Sequence, residues 1–198
     1  KIWKYQEVVI MKNKKIAPAN GKLGVLIPGL CGAISTTLIG GVEAVKTGKG
    51  SPVGSLTQMG RIRLGKRTEK KNPLIKDFIP LADLDSLVFG GWDIFDENLY
   101  ESALKAAVLQ RPQIEDLKHS LTTIRPMKAA FERKYVKNLN GRHVKKAGSK
   151  FELAGQLIED IKAFKRENAL NRLVMIWCAS TEIYIKEQEV HSTVQKFE

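Results

Sequence analysis

Apolar residues along this chain fall into short unbroken runs separated by longer stretches of helical spacing. Leu23–Ile27 (LGVLI) contains no polar side chain and closes on Pro28-Gly29, which reads as a buried strand. A helix is expected from Ser35 or Thr36 to about Lys46, with Leu38, Val42 and Val45 on its apolar side and Gly48 as its stop. Residues 49–76, rich in Gly, Ser, Lys and Arg, read as a long excursion with a short strand around Arg61–Leu64. Ser86–Phe89 (SLVF) is a second buried strand, ended by Gly90-Gly91. Asp96 is the expected N-cap of a helix from Glu97 to about Leu109, and Pro112 precedes another over 113–123. After the basic, turn-bearing segment 125–150, Ser149 and Glu152 match a capping box. It opens the clearest helix, with Ala154, Leu157, Ile158, Ile161 and Phe164 at three- and four-residue spacing. Leu173–Trp177 (LVMIW) is the third strand and runs into Cys178-Ala179-Ser180-Thr181.

Strands alternating with helices define the α/β class, with a Rossmann-like, mostly parallel sheet and flanking helices. Residues 1–20 are expected to be a peripheral extension and 21–198 the folded domain. The run from Met11 (MKNKKIAPANGK) reads as a natural start, which makes the first ten residues an upstream addition.

Composition changes this picture little. With 198 residues, 43% apolar and 27% charged, the chain can bury a full core and is neither disordered nor fibrous. Leu23–Val42 carries no charge, yet it includes Gly24, Pro28, Gly29, Gly32, Gly40, Gly41 and Ser35-Thr36-Thr37 and changes period midway. A strand followed by a helix therefore fits it better than a membrane span. Cys31 and Cys178 form no CxxC pair and, with three scattered histidines, no zinc spacing. They read as reduced, small buried side chains in an intracellular protein.

The net charge of +12 is more informative. Residues 1–22 hold six basic residues against Glu7, 61–76 seven against Glu69, and 125–150 nine against Glu132. Such clusters suit anionic partners. They lack interleaved aromatic residues, and no helix-turn-helix or zinc pattern accompanies them. Nucleic acid, phosphorylated small molecules and plain solvation of these faces all remain compatible with the charge.

Three segments follow the three strands and therefore share one sheet edge, where ligands bind in open α/β folds. The first, Gly29-Leu30-Cys31-Gly32-Ala33-Ile34-Ser35-Thr36-Thr37, joins strand to helix, where free amides and the positive helix end attract a pyrophosphate. It departs from G-x-G-x-x-G, since Cys31 stands at the second glycine, and no acid lies about 20 positions on to read a ribose. A tight packing turn would show the same residues. The second, Phe89–Asp96, offers Asp93 as a ribose acceptor, with helix capping as the plainer role of Asp93 and Asp96. The third, Trp177–Glu182, offers Ser180 and Thr181 to phosphate or nicotinamide. Trp92 and Trp177 are expected in the core.

These segments, together with Gly54-Ser55-Leu56-Thr57-Gln58 and Ile62-Arg63-Leu64-Gly65, resemble the N-terminal part of the inositol-3-phosphate (myo-inositol-1-phosphate) synthase family. FGGWDIFDENLYESAL is specific to it, and WCASTE matches its W-[TC]-[AG]-[NS]-T-E signature. The resemblance runs from about Gly21 to Glu198. It implies a recycled NAD, and conversion of glucose 6-phosphate to inositol phosphate by oxidation, enolisation, aldol ring closure and reduction. It further implies a cytoplasmic enzyme that is a homotetramer when full length, without membrane or nucleic-acid partners; no metal ligands are nominated, and a cation requirement stays open. Carried over, Gly29, Gly32, Ala33 and Ile34 would hold the pyrophosphate. Asp93 would face the adenosine side, and Cys178, Ala179, Ser180 and Thr181 would line the cofactor. Cys31, Ala33 and Ile34 stand where the family usually has a further glycine and asparagines. Residues 138–146 (NLNGRHVKK) fall near a further cofactor loop of some members, with Arg142 the residue of interest. The family's substrate-binding lysines belong to a second part beyond this segment, so the chain is expected to be a cofactor-binding fragment with no catalytic base of its own. A non-catalytic NAD-binding module is the alternative, and a basic nucleic-acid-binding domain a third.

Overall fold

The computed structural model describes residues 20–136, 138–180 and 186–197. Four strands, β1 (Leu23–Pro28), β2 (Leu87–Asp93), β3 (Met127–Lys128) and β4 (Arg172–Met175), form one parallel sheet in the order β3-β2-β1-β4. The chain moves outward from β1 through β2 to β3, then returns across the sheet to place β4 on the other side of β1. The direction of winding therefore reverses between β1 and β4, which is the switch point of a doubly wound sheet.

Alternation along β1 sends Val25 and Ile27 to one face and Leu26 to the other. On the first face they meet Phe89, Ile39 of α1 (Ala33–Lys46), Leu99 and Ala103 of α2 (Leu99–Ala106), and Ile114, Leu117 and Leu121 from the segment that follows. On the second, Leu26, Trp92 and Ile94 meet Leu157, Ile161 and Phe164, which project from a later helix. The uncharged stretch Leu23–Val42 is thus split between β1 and α1, and no helix among the described residues is long and apolar enough to cross a membrane.

Several boundaries differ from the sequence expectation. The second strand does not stop at Gly90-Gly91 but runs through them to Asp93, because the glycines are what let it lie so close to its neighbours. A Cβ at Gly91 would sit 2.0 Å from the carbonyl oxygen of Ile27, its register partner in β1, and one at Gly90 would sit 2.5 Å from the Phe164 ring. The helix after β2 is capped by Asn98 rather than Asp96. The Asn98 side chain accepts the Glu101 amide at 3.0 Å while Glu101 accepts the Asn98 amide at 3.1 Å, a reciprocal box two residues further on. The helix expected over 113–123 starts earlier and is bent at Leu117 (φ −102°) into α3 (Arg111–Asp116) and α4 (Lys118–Thr123). In 49–76, isolated antiparallel bridges join Arg61 to Leu74 and Leu64 to Lys71 in place of a strand. Two-residue β3 carries no pattern that periodicity can detect.

The helix opened by Ser149 is α5 (Lys150–Glu167), capped by the Ser149 hydroxyl on the Glu152 amide as expected. Its Phe164 ring lies over glycine positions of two strands, 3.2 Å from where a Gly24 Cβ would be. Replacing Gly91 with Ala is expected to cost more than about 4 kcal/mol, because the methyl meets backbone that cannot rotate away. Gly155→Ala, in α5 where nothing lies within 4 Å, should instead stabilise by about 1 kcal/mol. Urea unfolding of the two variants measures both.

Candidate cofactor site at the switch point

β1 ends at Pro28, paired with Trp92, so the following turn meets the end of β2 directly. The amides of Gly29 and Leu30 both donate to the Trp92 carbonyl, at 2.9 and 3.2 Å. Gly29 has φ +84°, in the region that favours glycine, and a Cβ there would meet the Ala179 backbone at 2.7 Å. The chain leaving β4 thus crosses directly over Gly29, and the Cys178 amide donates to the Pro28 carbonyl at 3.0 Å. Of the residues expected after the third strand, Cys178 and Ala179 are therefore brought against the Gly29 turn. Ser180 follows them, exposed, and Thr181 lies outside the described residues.

Gly32 is the N-cap of α1, which begins at Ala33, earlier than the Ser35 or Thr36 expected. It supplies no side-chain cap, and no acidic residue occupies the first turn. The first-turn amides of a helix have no intrahelical acceptor, so those of Ala33, Ile34 and Ser35 face the crevice with the positive helix end behind them. Ala33 and Ile34 are exposed there, Ile34 at 68%. The hydroxyls are turned inward: Ser35 donates to the Gly29 carbonyl at 2.7 Å and Thr37 to the Ala33 carbonyl at 2.7 Å. This site offers an anion amides rather than hydroxyls, and a pyrophosphate fits it.

Asp93 closes β2 and is buried. One carboxylate oxygen accepts the Cys31 amide at 2.8 Å and the other the Phe95 amide at 3.2 Å. Its first task is to hold the glycine turn in shape. Cys31 explains its own place in the motif: its half-buried thiol reaches the Glu97 carbonyl at 3.7 Å. Burial, with the Asp93 and Glu97 carboxylates nearby, pushes that thiol from 9.0 up to about 12. Trp92 is in the core as expected. Trp177 is not: it is 62% exposed, with Val174, Met175 and Ile176 also exposed, because β4 is the outermost strand of the described sheet. That corrects the core role expected for it.

The segment 138–146 lies at the same sheet edge. The His143 amide donates to the Ile94 carbonyl at 3.0 Å, and its Nδ1 lies 3.1 Å from the Asp93 carbonyl. Asn140, Gly141, Arg142 and His143 face Ile94, Phe95 and Asp96 across an open cleft of about 360 Å³. Arg142 was in view from the sequence, but Asn140, Gly141 and His143 were not chosen as site residues. The Asn-Gly turn signal was there, without anything to say which strand end it would meet.

A glycine turn at the carboxyl end of β1, an uncapped helix start and a crevice at the switch point define a dinucleotide-binding α/β domain. Residues 23–198 match the family model described as myo-inositol-1-phosphate synthase, an NAD-binding domain model. The chain is 45% identical over 185 residues to inositol-3-phosphate synthase 1 of Bacteroides thetaiotaomicron and 34% identical over 177 residues to isozyme 1 of Arabidopsis thaliana. It covers 42% and 34% of those two proteins, and they cover 93% and 82% of it. The crystal structure of inositol-3-phosphate synthase from Caenorhabditis elegans superposes with a TM-score of 0.78 at 26% identity, over 89% of this chain and 38% of that one. The chain belongs to the myo-inositol-1-phosphate synthase family, whose members are isomerases, and it spans well under half the length of these relatives.

The raised Cys31 thiol gives a direct test. At pH 8 it should resist a thiol reagent in the native protein and react fully in urea. Its folded value lies above its unfolded one, so its contribution to stability is whole below pH 9 and is lost as pH rises towards about 12. Denaturation curves of Cys31→Ala should lack that part of the alkaline decline.

Proposed function

We propose that this chain is the NAD-holding part of a cytoplasmic inositol-3-phosphate synthase. The complete enzyme would convert glucose 6-phosphate to 1D-myo-inositol 3-phosphate and work as a homotetramer. Residues 21–198 are the cofactor domain, with 1–20 peripheral to it. The observation that carries this reading is the coincidence of a family match over 23–198 with an uncapped helix start at the switch crevice.

Bound NAD supplies a hydride acceptor and donor, which lets oxidation and reduction occur in one catalytic cycle. The chain's own residues do the holding. Amides at Ala33, Ile34 and Ser35 receive the pyrophosphate beside Gly32, whose own amide is held by the Gly29 carbonyl, and Gly29 lets Cys178 and Ala179 close over the turn. Asp93 fixes that turn and faces the adenosine side, while Cys178, Ala179, Ser180 and Thr181 line the cofactor. Enolisation and ring closure need a base and phosphate-binding cations placed on the sugar. No residue of this chain is assigned to those steps.

Titration calorimetry with NAD tests the reading. Gly32 has φ −73° and ψ 162°, which any residue can adopt, and aspartate is a favoured N-cap. A Cβ there would lie 3.2 Å from the Gly29 carbonyl oxygen, so Gly32→Asp should lower the thermal midpoint only slightly while abolishing NAD binding, since the new carboxylate occupies the anion site. Gly29→Ala should lose about 2 kcal/mol of stability as well, from its positive φ and the Ala179 backbone. Undiminished NAD affinity in Gly32→Asp would remove the pyrophosphate from this helix.

A further inference from the structure

The segment that faces the end of β2 across the cleft is held from behind by a side-chain cluster outside the nucleotide turn. Asp160, on α5, receives two donors on the same oxygen, Oδ2. The indole Nε1 of Trp92 reaches it at 2.7 Å, and the Lys145 ammonium also at 2.7 Å. All three groups are shielded. Trp92 is 5% exposed, and the side chains of Lys145 and Asp160 are 11% and 21% exposed. In such surroundings a charge pair is screened far less than on the surface, and removing one partner strands the other.

Lys145 lies two residues after His143, and its backbone continues the same attachment. Its amide donates to the Ala129 carbonyl at 2.9 Å, and the Ala129 amide donates to the His143 carbonyl at 3.1 Å. Ala129 and Val144 form a parallel bridge, so Arg142–Lys145 runs as a short added strand beside the end of β3. Gly141 is pressed against Ile94, where a Cβ would sit 2.3 Å from the carbonyl oxygen. The front of this loop is fixed by backbone bonding to Ile94 and Ala129 and by the His143 ring against the Asp93 carbonyl. At its rear the Lys145 side chain ties the loop to Asp160 of α5, beside a bond from the Gln156 side-chain amide of α5 to the Lys146 carbonyl at 3.0 Å, and the Trp92 indole ties the same Asp160 carboxylate to the penultimate residue of β2.

We propose that the Trp92–Asp160–Lys145 cluster is a positioning device that sets the Asn140–His143 loop over the adenosine half of the cofactor crevice, so that Asp160 controls dinucleotide affinity without touching the ligand. The inference rests on the cofactor reading above and adds to it which remote residue governs the adenosine side. Asp160 is three residues after Leu157 and directly before Ile161, both of which pack in the core, and it serves there as the acceptor for two shielded donors. A carboxylate there, with one donor two residues before Ile94 and the other two residues after His143, gives the loop a fixed distance from the strand end.

The experiment compares NAD and ADP binding to the full chain by calorimetry in the parent and in Asp160→Asn, Lys145→Met and Lys145→Arg. Glu159→Gln serves as control, since its partner Lys162 lies on the exposed side of the same helix. Far-UV circular dichroism and thermal midpoints are recorded on every variant. Asn keeps an acceptor for the indole and loses only the charge pair, so the fold survives its introduction. The expected result is a roughly tenfold loss, equal for NAD and ADP, in Asp160→Asn and Lys145→Met, with recovery in Lys145→Arg. Hydrogen exchange at the amides of His143 and Lys145 should accelerate in the two weakened variants alone. Unchanged affinities overturn the proposal. So does a loss confined to NAD, a parent that binds NAD but not ADP, or an equal loss in Glu159→Gln. A parent that binds no dinucleotide at all overturns the cofactor reading itself, and is told apart from the other failures by that fact.

Discussion

The contact between Gly91 and the Ile27 carbonyl sets the geometry from which the cofactor crevice is built. At this point of β2 the absence of a Cβ lets two strands lie closer than any other residue permits, with a would-be contact of 2.0 Å. That approach fixes the register in which Pro28 stands opposite Trp92. The register in turn delivers the Trp92 carbonyl to two successive amides of the glycine turn and the Asp93 carboxylate to a third, that of Cys31. A slip of one residue would reverse the faces of β2 and break all three bonds together. The helix start inherits its position from this turn, so backbone packing deep in the sheet determines where an anion can be received.

The electrostatics follow the same division of labour. The positive end of α1 is left uncompensated because its cap is glycine and its first turn has no acid, while the nearest carboxylate, Asp93, is occupied by two amides. A negative charge is thus kept close enough to shape the turn but is spent on internal donors. The thiol of Cys31 stays protonated in the same environment, so this cysteine works as a small, weakly polar filler where a glycine would leave space.

Much of this was legible in the residues. β1, α5 and their flanking turns stand out because apolar spacing and capping residues agree, and the three strand ends fell on one edge as alternation of strands and helices requires. Gly90-Gly91 misled because glycine ordinarily ends strands, and only the distance to Ile27 and Phe164 shows why it is kept inside one. Asn98 lost to Asp96 although its partner Glu101 stood three positions on, so the reciprocal box was readable. Trp177 was misplaced in the core and its exposure could not be read, since whether an apolar residue of an edge strand is covered depends on what lies beside it. Nor could the Lys145–Asp160 pair, in which two ordinary charged residues from separate segments meet only through the fold.

The strand order has a consequence for how the protein is made. Among the described residues β1 is the first strand to be synthesised and its neighbour β4 the last: Lys22 and Asn171 are hydrogen-bonded across 149 residues. The turn at Gly29 has its roof only once Cys178 and Ala179 have emerged, so the crevice is completed late and by its most distant segments in sequence. Contacts of such long range are slow to close, and the half-built sheet exposes an apolar flank of β1 in the meantime. During translation, at roughly 5–20 residues per second, that flank stays bare for many seconds. Binding of the nucleotide would come after β4 has docked, sealing a junction between two segments far apart in sequence rather than templating the first of them.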